Sequence, residues 1–130
     1  SDALIYSPSV RLIRDDRGSL RPDPLPLSVI SAPAPNISAL ADQGLADRLQ
    51  GDVARSLARR VQRILAVAHA QDHDALVFGN APQDVAGLFA RALCGPFKGC
   101  FRHVHFAVPG QGDDPNLIAF RDQFGPVLPG

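Results

Sequence analysis

"ALVFGNAPQDVAGLF", residues 75–89, reads as a short strand that passes through a tight turn into a helix. Ala75, Leu76, Val77 and Phe78 make a short, continuous apolar run, which reads as a strand. Pro82 suits the first helical turn, where a missing N–H costs nothing. Val85, Leu88, Phe89 and Ala92 then recur at the spacing of one buried stripe, and Gly95 with Pro96 stops the helix. Only Gly79 and Asn80 stand between the strand and Ala81-Pro82. In an α/β protein, a glycine-rich loop at this junction holds a phosphate against the helix N-terminus. The brevity of the turn is therefore the first functional question.

Downstream, residues 102–108, "RHVHFAV", alternate and end apolar, which predicts another strand. A loop, "PGQGDD", leads into a last amphipathic helix over residues 116–124, with Leu117, Phe120 and Phe124 inward. Upstream, residues 52–70 form the long helix. Asp52 is its expected N-cap, and Val53, Leu57, Val61, Ile64, Leu65 and Ala68 form its buried stripe. A weaker helical stretch over 38–49 is interrupted by Gly44. Residues 3–6 and 10–14 are short β-prone runs, followed by the turn "DDRG" at 15–18. Pro22, Pro24 and Pro26 exclude a helix or a central strand, so residues 19–26 read as an extended surface connection. Residues 27–32 are a near-continuous apolar strand of the doubly buried kind, ended by "PAPN" at 33–36.

Strand–helix alternation predicts an α/β fold, a mixed and largely parallel sheet flanked by helices in three layers. At 130 residues the chain holds one domain with one core. In such sheets ligands bind beyond the carboxyl ends of the strands. Three connections lie there, which gives Ser31, Ala32, Pro33 and Asn36, then Gly79 and Asn80, then Val108, Pro109 and Gly110 as candidate ligand-binding residues.

Composition narrows the chemistry. Formal net charge is zero, so no electrostatic footprint for nucleic acid is present. No apolar run is long enough for a bilayer and no signal-peptide pattern opens the chain, so a cytoplasmic location is expected. All the acidic residues are Asp; the absence of Glu removes any mechanism in which this chain supplies a glutamate acid or base. Arg55, Arg59 and Arg63 repeat at four-residue spacing, and a solvated helix face explains them better than a phosphate grip. His103 and His105 share a strand face near Cys100, but zinc spacing wants a second close pair, and a structural or surface pair is favoured over a metal site. His69 and His73 straddle a helix end. Cys94 and Cys100 read as free, buried thiols rather than a bridge. Ser31 lacks a nucleophile-elbow context and Lys98, in "GPFKGC", is no Walker lysine. No catalytic residue, metal site or cofactor emerges.

The pieces "SDALIYSPSVRLIRDDRGSL", "LSVISAPAPN", "RVQRILAVAHAQDHDALVFGN", "FRHVHFAVPG" and "NLIAFRDQF", taken in order, resemble the C-terminal half of the bacterial-type poly(ADP-ribose) glycohydrolases. The resemblance runs over nearly the whole chain, from about residue 1 to 124. It implies a macrodomain-like fold and an ADP-ribose site. The family's catalytic signature, a triple glycine followed by a Gln-Glu-Glu loop, lies in the preceding half, and neither feature occurs in this chain. The family also carries a glycine- and aromatic-rich stretch after the strand matching residues 75–78, whose successive N–H groups cradle the diphosphate. Here the strand runs through Gly79-Asn80 straight into "APQDVA", so the turn resembles a phosphate loop with its middle removed.

The expectation is a degenerate macrodomain-like module, non-catalytic alone, with weak or lost binding of ADP-ribose or a related nucleotide. Two alternatives stand beside it. One is an interaction module that forms a homodimer or pairs with a complementary N-terminal half, because a sheet missing strands leaves an edge to cover. The other is a glycohydrolase completed in trans by such a half.

Overall fold

The computed structural model describes residues 3–33, 46–79, 83–108 and 110–125. The chain divides into two compact units, Ser1–Ala34 and Pro35–Gly130.

The first unit is an antiparallel hairpin of β1 (Ile5–Arg14) and β2 (Leu20–Ser31). The two β-prone runs are thus one strand. The register slips between Ser7 and Val10, and Ser9 takes φ 56°, so a bulge accommodates Pro8 without ending the strand. At the tip, Asp15 organises the turn: its Oδ1 accepts from the backbone N–H of Arg17 and of Ser19, both at 2.9 Å, and its carbonyl accepts from Gly18 N–H at 3.0 Å. Gly18 takes φ 80° there.

The residues read as a proline-rich connection are strand. Prolines at every second position direct their missing donors to the same side of a pleated chain. Leu25, between Pro24 and Pro26, pairs with Leu12, so the donor-less side faces away from β1 and the ladder survives. Residues 27–32 are not doubly buried either. Val29 and Ser31 are exposed, and among the described residues β2 pairs with β1 alone.

The second unit runs α1 (Ala46–Ala70), β3 (Ala75–Gly79), α2 (Gln83–Cys94), β4 (His103–Ala107) and α3 (Pro115–Phe124). Helix α1 begins before Asp52, so Asp52 is not its N-cap; the carboxylate instead forms an ion pair with Arg55 one turn on. Gly51 is carried within the helix, which its long apolar stripe stabilises despite the propensity cost.

Strands β3 and β4 pair in parallel, from Ala75↔His103 to Gly79↔Ala107. Asp74 ties their starts together, its carbonyl accepting from Arg102 N–H at 2.7 Å. The core gathers Val61 and Leu65 of α1, Val85, Ala86, Phe89 and Ala92 of α2, and Phe120 of α3. Leu76, Phe78 and Phe106 of the sheet pack against it. Phe106 lies at the centre of an aromatic cluster, its ring centroid 5.2 Å from Phe78, 4.9 Å from Phe120 and 4.7 Å from Phe124. Leu65 is wholly buried, which contributes about 1.5–3 kcal/mol.

The helices cover one face of this parallel pair. On the other face Ala75, Val77, Gly79, His103, His105 and Ala107 are exposed, Val77 to 74%. A continuous apolar run thus forms a strand with one face exposed. Phe124, expected inward, stacks on Phe106 yet stays 39% exposed at the helix end.

Candidate functional site

The carboxyl ends of the parallel strands set out the candidate residues of the second unit. Gly79 closes β3 opposite Ala107, and Val108 follows directly, its N–H donating to Phe106 O at 3.1 Å. The parallel register therefore brings Gly79 and Val108 to the same end of the sheet. Helix α2 starts at Gln83, so three residues, 80–82, connect it to β3. Asn80 and Pro109 lie outside the described residues, as does Asn36. Ser31, Ala32 and Pro33 stand at the carboxyl end of β2, in the hairpin unit.

The two glycines differ in kind. Around Gly79 the space a Cβ would enter is open, with no atom of the described residues beyond its chain neighbours within 4 Å. Its backbone is accessible from the bare face of the sheet. Gly110 instead takes φ 150°, and a Cβ there would meet the side chain of Asp114 at 2.8 Å. Asp114 is occupied in turn: its Oδ1 accepts from Asn116 N–H at 2.9 Å and Leu117 N–H at 3.4 Å, capping α3 with Pro115 in the first turn. The loop after β4 is thus built around a helix cap.

The other chemistry-bearing residues do not converge. His103 and His105 lie on the bare face with ring centroids 6.4 Å apart. Among the described residues no three His, Cys, Asp or Glu side chains come together as a metal group. His69 meets the ring of Phe101 edge-on at the end of α1. Cys94 and Cys100 are unbridged, but Cys94 is exposed and Cys100 half-buried, so neither is the buried thiol the sequence suggests. Arg55, Arg59 and Arg63 lie exposed along α1. No described helix is long and apolar enough to cross a membrane.

Solved structures of known proteins superpose on this chain over most of its length. The glycohydrolase of Deinococcus radiodurans, solved in complex with ADP-ribose, superposes with a TM-score of 0.84 at 38% identity. The chain is similar to the C-terminal half of the bacterial poly(ADP-ribose) glycohydrolases. The match takes in 95% of this chain and 52% of the Deinococcus chain, so this polypeptide spans about half the length of that protein. The glycohydrolase of Thermomonospora curvata gives a TM-score of 0.82 at 38% identity over 95% of this chain and 48% of its own. The apo form of the Deinococcus enzyme matches equally well, at 0.84 and 39%. No family model and no curated protein matches. The macrodomain-like α/β fold is thereby the fold of this chain.

The sequence places ligand residues at strand ends but does not show that one face of β3–β4 is exposed. The alternation of exposed Ala75, Val77 and Gly79 with half-buried Leu76 and Phe78 leaves no mark in an all-apolar run.

Proposed function

We propose that this chain is a macrodomain-like half of a poly(ADP-ribose) glycohydrolase-type fold, non-catalytic by itself and with weak or lost affinity for ADP-ribose. The observation that carries the first part is the absence of glutamate from all 130 residues. A family whose resemblance implies a Gln-Glu-Glu loop has no acid to offer here. The short connection supports the second part. Only residues 80–82 separate β3 from α2, too few for a run of amides around a diphosphate. Each charge-assisted hydrogen bond forgone removes about 1.5–3 kcal/mol, and about 1.4 kcal/mol is tenfold in affinity. The residues proposed for a ligand remain Ser31, Ala32, Pro33, Asn36, Gly79, Asn80, Val108, Pro109 and Gly110. Neither a cofactor nor nucleic acid enters this reading.

Calorimetric titration of the chain with ADP-ribose, with AMP alongside, tests it. Heats too small to fit below millimolar ligand agree with a disabled phosphate loop. Micromolar binding of ADP-ribose overturns that part of the proposal.

A second reading is favoured by the span of the matches. Each solved glycohydrolase contains about as much polypeptide again as this chain covers. The chain then acts as an interaction module, and a complementary half brings the missing glutamate to restore hydrolysis in trans. A homodimer is the competing form of that module.

A further inference from the structure

We draw no further inference here: the strongest candidate, the His103–His105 side-chain pair on the exposed face of β4, carries nothing because among the described residues no third His, Cys, Asp or Glu joins it as a metal group and nothing in the structure shows what covers that face.

Discussion

Gly110 lies against Asp114 so closely that a Cβ on Gly110 would come within 2.8 Å of the Asp114 Cβ and Cγ. The loop after β4 folds back onto the residue that caps the next helix, and it does so with Gly110 at φ 150°, a conformation that L side chains rarely adopt. A glycine singled out for its place near a ligand thus has a structural task of its own.

That contact predicts a non-additive pair. Gly110→Ala forces the backbone or Asp114 to shift and is expected to cost about 1–3 kcal/mol in urea unfolding. Asp114→Ala removes the acceptor for two backbone donors and is expected to cost about 1 kcal/mol. Combined, the two substitutions should cost slightly less than their sum, because alanine at position 114 keeps the Cβ that the added methyl meets but removes the Cγ. Strict additivity would mean that the loop relaxes away from the cap and the close approach carries no energy.

Core truncations should rank by burial. Leu65 is fully buried beneath α2, and Leu65→Ala is expected to lose about 2–5 kcal/mol through transfer and cavity terms together. Phe124 stacks on Phe106 at 4.7 Å but at the exposed end of α3. Its removal should cost less, the aromatic contact itself accounting for about 0.5–1.5 kcal/mol. Thermal unfolding of the two variants side by side gives the order. Equal losses would show that α3 is held by Phe124 as firmly as α1 is by Leu65.

How far such features are legible in the sequence depends on the range of the forces behind them. The Asp15–Gly18 turn is local: one carboxylate satisfies two nearby amides, and Gly18 supplies the positive φ, so four letters suffice. The apolar stripe of α1 is equally plain, because Val61, Leu65 and Ala68 repeat at helical spacing. Its N-terminus is not, since Asp52 looks like a cap but is paired within the helix to Arg55. The proline segment of β2 misleads for a related reason. Pro24 and Pro26 are excluded from a central strand, and only the pairing of Leu25 with Leu12 reveals that they border a ladder. Among the site residues, Gly79 and Val108 come to one sheet end through a pairing between segments nearly thirty residues apart, which strand–helix alternation does anticipate. Burial of Val77 could not be read at all: an apolar strand looks the same whether one face or two are covered.

Gly79 offers the most direct probe of the turn after β3. Among the described residues beyond its chain neighbours, no atom lies within 4 Å of the position a Cβ would take, and the residue has no left-handed backbone that requires glycine. Gly79→Ala should therefore leave stability within about 0.5 kcal/mol of the parent, or raise it slightly by restricting the unfolded chain. On the proposed reading, the methyl enters the space through which a ligand would reach the backbone at the end of β3. If any ADP-ribose affinity persists at millimolar concentration, Gly79→Ala is expected to reduce it several-fold with no change in melting temperature. A fall in both would assign Gly79 to packing. Unchanged affinity at unchanged stability would place the residual binding away from the strand end, and with it the part of the family's site that this chain retains.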